Sequence, residues 1–221
     1  MFALVVVFAA AVPAAAQTST LIEDDLTKPG GAFDTGSGGE VARLAFGRQG
    51  MKVTAAEAGN GVFLTPAVNA SEDALLNSAI EFKVKAGKKT AIGAFCRRTE
   101  ADESGYRVSD GFLVFIDGKQ FSQFEPNEDG QFTIDPGSPF KVKKYKPGKF
   151  NTIRMECAKN SIEGFGLDLT VYVNGERVST SAESRAAQFG RIGIYLEGLD
   201  DTRAKATFKD LTMEELPPPT S

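Results

Sequence analysis

Histidine and tryptophan are absent from this chain of 221 residues, and cysteine occurs only twice. Without histidine, the Ser-His-Asp and Cys-His forms of nucleophilic catalysis and all histidine-ligated metal sites are excluded. Two cysteines are too few for a zinc finger or an iron–sulfur cluster. Seventeen phenylalanines supply the large aromatic side chains of a core instead of tryptophan.

An excess of positive charge is also lacking. The formal net charge is −4, and the sequence pI is about 5.1. This balance gives no basic surface for a phosphate backbone, so we expect no nucleic-acid partner. The length suits one large domain, which buries roughly 70% of its unfolded surface.

An apolar segment opens the sequence. Phe2–Val12 is continuously apolar but too short to span a bilayer comfortably. Three alanines follow, and polar residues begin at Gln17. This order predicts a secretory signal peptide over residues 1–16 with cleavage after Ala16, although no lysine or arginine precedes the apolar run. A buried N-terminal strand is the alternative. The predicted signal peptide implies a secreted or periplasmic protein with no membrane span in the mature chain.

The strongest local pattern lies at Leu167–Gly175. Leucines and valines at the odd positions from 167 to 173 alternate with residues that are mostly polar. This period of two predicts a half-buried β-strand. Asn174-Gly175 suits the left-handed backbone angles of a tight turn, and the residues from Glu176 to Thr180 are predicted to form the second strand of a hairpin.

Similar patterns recur along the chain with turn residues between them. We predict one hairpin around Asp117-Gly118 and another around Gly59-Asn60-Gly61. Stretches rich in glycine or proline at 27–39 and 126–147 are predicted to be loops. Other strands are predicted at Leu21–Leu26, Asn77–Lys85, Thr90–Arg97, Lys149–Ala158, Phe189–Glu197 and Ala204–Met213.

The fold class follows from this series of roughly twelve short strands with little helical periodicity. Strands with one apolar face bury it by stacking two sheets. We therefore predict an all-β, two-sheet antiparallel sandwich of jelly-roll type over residues 17–216. Residues 217–221, three of them prolines, are predicted to form a disordered tail.

Several of these segments, in order, resemble a known superfamily. They are AFCRR at Ala94–Arg98, FLVFIDGKQFSQF at Phe112–Phe124, NTIRMEC at Asn151–Cys157, LTVYVNG at Leu169–Gly175, FGRIGIYLEG at Phe189–Gly198 and ATFKDLTM at Ala206–Met213. Together they are similar to the concanavalin A-like lectin/glucanase superfamily. Within it, they resemble secreted bacterial domains of the laminin-G-like and 3-keto-disaccharide-hydrolase-like kind. The resemblance spans Leu21 to Leu216 and implies the same β-sandwich.

The resemblance does not extend to catalytic residues. Glucanases of the superfamily carry Glu-x-Asp-x-x-Glu on one strand, a spacing that this sequence lacks. The 3-keto-disaccharide-hydrolase-like members usually carry tryptophans and histidines, which are also absent. Glycoside hydrolysis needs two carboxylates about 5–10 Å apart. Glu81, Glu125, Glu156 and Glu197 are the candidates, but their scatter over separate strands favours solvated side chains, and we assign no catalytic residue.

A ligand site is predicted from side chains that suit sugar binding, which combines aromatic platforms with polar neighbours. By alternation, Arg97, Arg154, Glu156 and Tyr172 face outwards, and we predict that they share one sheet face. Tyr106 lies in the predicted loop 98–110 and completes the candidate site. An ordinary solvated face is the alternative.

The superfamily also implies a metal site. Its members often hold a structural calcium where the first and last strands meet, which makes Asp24, Asp25 and Asp210 candidate ligands. Calcium needs six or more oxygens, so ordinary surface acids are the alternative. No other cofactor is expected.

The two cysteines are predicted to form a disulfide. Alternation turns both Cys96 and Cys157 towards the core, and an exported chain can keep such a bond. The resembling proteins often carry cysteines at these two positions, which implies the pairing. Two buried free thiols in separate parts of the core are the alternative.

Taken together, these features favour a non-catalytic secreted domain that binds a glycan or a cell-envelope protein. A carbohydrate-active hydrolase and a purely structural spacer domain are the alternatives.

Overall fold

The computed structural model describes residues 18–71, 75, 77–98, 112–126, 132–134, 140–159, 167–183 and 190–217. Most of these residues lie in fifteen strands. The strands are β1 (Ser19–Asp24), β2 (Ala42–Gly47), β3 (Gly50–Ala58), β4 (Gly61–Leu64), β5 (Ser78–Ala86), β6 (Thr90–Arg98), β7 (Phe112–Asp117), β8 (Gln120–Pro126), β9 (Phe132–Ile134), β10 (Phe140–Lys141), β11 (Asn151–Lys159), β12 (Leu167–Val173), β13 (Glu176–Glu183), β14 (Arg191–Gly198) and β15 (Arg203–Glu215).

These strands form two antiparallel sheets. Sheet 1 has eight strands in the order β13-β12-β11-β5-β15-β3-β2, with β1 also paired to β15. Sheet 2 has seven strands in the order β10-β8-β7-β6-β14-β4, with β9 paired to β8. The buried faces of the two sheets share one hydrophobic core. The predicted all-β sandwich is therefore confirmed. No helix among the described residues has the length and apolar character needed to cross a bilayer.

The period of two decides which side chains enter the core. In β12, every odd-numbered residue from Leu167 to Val173 is buried, and the residues between them are half-buried. On β5 and β15 of the same sheet, the rings of Phe82 and Phe208 lie 5.7 Å apart and are fully buried. Burial of one such ring contributes about 1.5–3 kcal/mol. The side chains that alternation turns into the core are therefore the main source of stability.

Two of the three predicted hairpins are confirmed. Asn174 and Gly175 join β12 to β13 with φ angles of 51° and 76°, the left-handed values that such a turn requires. Gly118, with φ 58°, turns β7 into β8. The hairpin predicted around Gly59-Asn60-Gly61 is wrong: β3 belongs to sheet 1 and β4 to sheet 2, so the chain crosses between sheets there. Strand β2 was not predicted; it pairs with β3 at the edge of sheet 1.

Strand β15 is the longest strand and lies inside sheet 1. On one side it pairs with β5. On the other side its first half pairs with β3 and its second half with β1. Asp210, with φ 51°, lies at a register shift between Lys209 and Thr212. This irregularity marks the point where one partner strand replaces the other.

Two links join the sheets through the core. Cys96 on β6 and Cys157 on β11 form a disulfide with a Cα–Cα distance of 6.7 Å, which confirms the predicted pairing. The second link is Gln123 on β8, which is 1% exposed. Its Nε2 donates to Ser181 Oγ at 2.8 Å, and its Oε1 accepts from Ser179 Oγ at 3.2 Å. Both serines lie on β13, so the buried amide has partners in the opposite sheet.

Tyr145 makes the fold sensitive to alkali. Its side chain is 2% exposed, and burial raises the pKa of its phenol from 10.0 to about 12. The unfolded chain therefore loses this proton at lower pH than the folded chain, and stability that is present below pH 10 is lost as the pH rises towards 12. We expect this group alone to remove about 2 kcal/mol of unfolding free energy by pH 11.5.

Urea unfolding of wild type and Tyr145→Phe at pH 9 and pH 11.5 measures this contribution. The variant should lose less stability than wild type between the two values. Tyr172→Phe is the matched control, because Tyr172 is half-buried on the outer face of sheet 1. Equal alkaline losses in Tyr145→Phe and wild type would contradict the assignment.

Candidate functional site

The outer face of sheet 1 carries a row of polar side chains. Antiparallel register places Thr212 on β15, Glu81 on β5, Arg154 on β11 and Tyr172 on β12 side by side. Because side chains alternate along each strand, the four point to the same side of the sheet, away from the core. The sequence prediction that Arg154, Glu156 and Tyr172 share one face agrees with this register.

Arg154 is the centre of this face. Its Nε lies 2.8 Å from Glu156 Oε1, and its Nη1 lies 3.0 Å from Glu214 Oε2 and 4.0 Å from Glu81 Oε2. Glu214 is on β15, so the arginine side chain crosses the intervening strand β5. At that point β5 carries Ala79, which is fully buried although it faces outwards. A small residue there leaves room for the guanidinium to lie flat on the sheet.

The cluster joins three carboxylates to one guanidinium. Partial burial lowers the pKa of Arg154, but its hydrogen bonds to Glu156 and Glu214 outweigh burial, and the pKa is raised overall. Its side chain is 22% exposed. Charge-assisted hydrogen bonds between partly buried groups hold their geometry better than exposed pairs, so the cluster is a rigid polar surface.

Tyr172 borders a shallow depression on this face. The depression has a volume of about 190 Å³ and is lined by Glu81, Thr152, Arg154, Tyr172 and Gly175. The Tyr172 hydroxyl donates to Glu156 Oε2 at 3.5 Å. Glu156 therefore uses one oxygen for Arg154 and the other for Tyr172.

One predicted ligand residue, Arg97, lies elsewhere. Arg97 is on β6, in sheet 2, so it does not share the face of Arg154. Alternation shows whether a residue faces inwards or outwards but not to which sheet it belongs. Tyr106 lies outside the described residues.

The four carboxylates considered for hydrolysis divide between the sheets. Glu81 and Glu156 meet at Arg154, where sequence reasoning missed Glu214 as the third acid. Glu197 is on β14 in sheet 2, where it accepts a 2.6 Å hydrogen bond from the Tyr195 hydroxyl. Burial, and then this contact, raises the pKa of Tyr195. Glu125 is on β8, also in sheet 2.

The three acids proposed as calcium ligands do lie where the first and last strands meet, since Asp24 pairs with Leu211. However, Asp24 accepts backbone hydrogen bonds on both oxygens, from Leu26 and Ala32. Asp25 accepts from Thr27. Asp210 is bound by Lys83 at 2.8 Å, which lowers the pKa of Asp210. In the described part of the chain, no three acidic, cysteine or histidine residues form a group that could hold a metal ion. Calcium binding stays a prediction that these contacts do not favour.

Sequence reasoning also missed an aromatic cluster on the outer face of sheet 2. Phe63, Phe115 and Phe124 are half-buried there and pack against Phe95, Leu113 and Tyr195. The rings of Phe115 and Phe124 stack at 4.9 Å, and Phe63 lies 4.8 Å from Tyr195. The unbroken apolar run Phe112–Ile116 was the available signal, because a strand without alternation has two apolar faces.

Comparisons with known proteins support the fold. A scan against protein-family models finds no match, and a search of curated proteins finds no significantly similar sequence. Among solved structures, the chain is similar to a conserved carbohydrate esterase of the Shiga toxin-encoding bacteriophage phi24B. The TM-score is 0.52 at 13% identity, over 90% of this chain and 99% of that chain.

Two further structures are similar. One is the binding domain of botulinum neurotoxin serotype D, with a TM-score of 0.51 at 12% identity, over 90% of this chain and 49% of that chain. The other is an alginate lyase, Aly36B, with a TM-score of 0.49 at 10% identity, over 92% of this chain and 98% of that chain. At such low identity the likenesses to the phage protein and the neurotoxin domain show the fold alone, a β-sandwich.

Proposed function

We propose that this protein is a non-catalytic, extracytoplasmic domain of concanavalin A-like type that binds a glycan on the outer face of sheet 1. The observation that carries the proposal is the depression beside Tyr172 and Arg154. It offers one half-exposed aromatic ring next to side chains that the ion-pair cluster holds in place. Sugars bind through hydrogen bonds to fixed polar groups and through contact with a ring face.

The same geometry argues against hydrolysis. A catalytic carboxylate must have an oxygen that can reach the reacting atoms of the substrate. Both oxygens of Glu156 are already hydrogen-bonded, to Arg154 and Tyr172, and Glu214 is bound to the same guanidinium. These acids support the shape of the surface rather than reaction at it.

Two other observations support the proposal. The disulfide between the sheets suits a compartment in which such bonds persist, which agrees with the signal peptide expected from the sequence. The phage protein of similar structure is described as a carbohydrate esterase, which shows that a sandwich of this shape occurs in a carbohydrate-directed protein.

A glycan array, followed by calorimetry on the glycans that bind, tests the proposal. We expect Tyr172→Ala to weaken binding about tenfold, because the ring contact is lost. Thr180→Ala is the matched control: Thr180 is exposed on the same sheet but does not line the depression. Equal affinity of Tyr172→Ala and wild type would show that the ligand binds elsewhere, and the absence of any bound glycan would favour a spacer domain.

The second candidate function is a glycoside hydrolase, which the meeting of Glu81, Glu156 and Glu214 at one point favours. An activity screen on β-glucan and keto-sugar substrates distinguishes it. Turnover that is lost in Glu156→Gln would overturn the non-catalytic proposal.

A further inference from the structure

A lysine-rich loop contrasts with the acidic balance of the whole chain. This loop, defined as residues 140–150 and including the two-residue strand β10 at its start, contains five lysines and no acidic residue. Lys141, Lys143, Lys144, Lys146 and Lys149 are all exposed. The whole-chain charge of −4 therefore conceals a local cationic surface, which the sequence analysis did not identify.

The backbone of this lysine-rich loop is anchored to the sandwich. Val142 and Tyr145 are each 2% exposed, so two side chains of the loop are buried while its lysines face solvent. The Val142 amide donates to the carbonyl of Lys119, in the turn between β7 and β8, at 2.7 Å. The Gly148 amide donates to the carbonyl of Ala86 at the end of β5 at 2.8 Å. The loop is thus tied to both sheets.

Two asparagines fix the segments that carry three of the lysines. Asn151 is 1% exposed; its Oδ1 accepts from the Lys146 amide at 2.8 Å, and its Nδ2 donates to the carbonyls of Lys146 and Lys149. Asn174 Nδ2 donates to the Lys144 carbonyl at 2.8 Å and to Asn151 Oδ1 at 3.0 Å. Because the backbone of the loop is already ordered, the loop loses little conformational entropy when a ligand binds its lysines.

In the described part of the chain, one acid pairs with this surface. Lys144 lies 3.9 Å from Glu176, a weak exposed pair. Within the described ranges, no ion pair joins the other four lysines of the loop to a carboxylate. The adjoining turns add Lys88 and Lys119, which are exposed as well. Clustered charge of one sign raises the local concentration of oppositely charged ligands.

The lysine-rich loop also adjoins the candidate glycan site. Asn174 holds Lys144 in place, and the next residue, Gly175, lines the depression beside Tyr172. Thr152, which lines the same depression, donates its amide to Asn174 Oδ1 at 2.9 Å. These hydrogen bonds place the backbone of Lys144 next to residues that border the depression.

We propose that the lysine-rich loop binds the carboxylate groups of an acidic polysaccharide, so that the ligand of this protein is a polyuronate-type polymer. This inference rests on the proposed glycan-binding function and narrows its ligand class. Repeated anionic groups on one chain engage several fixed lysines at once, and the interaction weakens as salt screens it.

The same surface fits an anionic membrane less well. Protein surfaces that bind membranes combine basic residues with apolar side chains that insert between lipids. Among the side chains of the lysine-rich loop whose burial is described, one large apolar group is exposed, Phe150, whose ring lies 4.9 Å from Lys209 Nζ. A single ring in contact with a cation offers little area for insertion.

The test compares polygalacturonate with its fully methyl-esterified form, which has the same backbone without the charges. Binding to the whole mature chain is measured by biolayer interferometry at low and physiological salt. We expect tighter binding to polygalacturonate at low salt, and a loss of about tenfold in the triple variant Lys141→Gln, Lys143→Gln, Lys146→Gln. The triple variant Lys28→Gln, Arg43→Gln, Arg48→Gln removes the same charge from exposed positions outside the loop and should bind like wild type.

The outcomes separate this inference from the proposed function. Equal binding to both polymers would overturn the lysine-rich loop as a polyuronate site while leaving glycan binding intact. Tighter binding to anionic vesicles or to DNA than to polygalacturonate would overturn the choice of ligand class. An equal loss in the two triple variants would show a non-specific charge effect and also overturn the inference.

Discussion

Replacing both Cys96 and Cys157 with alanine is expected to lower the melting temperature of this protein by roughly 8–16 °C. The bond joins β6 of sheet 2 to β11 of sheet 1 across the core and closes a loop of 61 residues. In the chain-entropy model, a loop of this length contributes about 4 kcal/mol by restricting the unfolded chain. Net stabilities are only about 5–15 kcal/mol, so the loss is a large fraction of the total.

Calorimetry on three samples measures this effect: oxidised wild type, reduced wild type and the double variant. Reduced wild type is the control for packing, because it keeps both sulfur atoms in the core and loses only the covalent link. Most of the decrease in melting temperature should therefore already be present in that sample. Two titratable thiols in unfolded, unreduced wild type, or equal melting temperatures in all three samples, would contradict the prediction.

Arg154→Met is expected to destabilise the protein by about 2 kcal/mol. The substitution keeps a long side chain over Ala79 but removes the only cation that Glu81, Glu156 and Glu214 are shown to share. Partly buried carboxylates would then face one another without a counter-charge. Removing one partner of a buried ion pair costs about 3–5 kcal/mol of stability. The groups around Arg154 are partly exposed, which reduces this cost.

A compensating variant separates charge from packing. Adding Glu156→Gln and Glu214→Gln to Arg154→Met removes two of the unpaired charges and should recover at least half of the lost stability. Arg177→Met, at an exposed position on β13 of the same sheet, is the control and should change stability by less than about 0.5 kcal/mol. No recovery in the triple variant would show that packing, not charge, explains the loss. All variants are compared by urea unfolding at pH 7.

The strands of this fold could be predicted where one face of the strand is buried and the other is exposed to solvent. β12 shows this pattern and its turn residues Asn174 and Gly175 adopt the expected backbone angles. Gly59-Asn60-Gly61 has similar turn chemistry, yet it connects two sheets rather than two paired strands. Local residues specify that the chain turns; contacts between distant strands decide which sheet it then joins.

The candidate site was predictable to the same extent. Period two placed Arg154, Glu156 and Tyr172 on an outer face, but the third partner of Arg154, Glu214, lies on a strand far along the chain and two positions away in the sheet. The sequence predicts an irregular connection over 126–147, which contains most of the lysine-rich loop, because of the prolines and glycines of that whole stretch. Its order depends on hydrogen bonds from Asn151 and Asn174, which sequence patterns do not reveal.

The central place of β15 determines when this protein can fold. β5, β3 and β1 all hydrogen-bond to it, and its end pairs with the beginning of the described chain, Ser19 with Glu215. A growing polypeptide that stops before Arg203 leaves those three strands with open edges, which are prone to associate with other chains. Pairings between such distant segments also form slowly, on the order of milliseconds to seconds. We therefore expect sheet 1 to complete its pairing only after synthesis has passed β15.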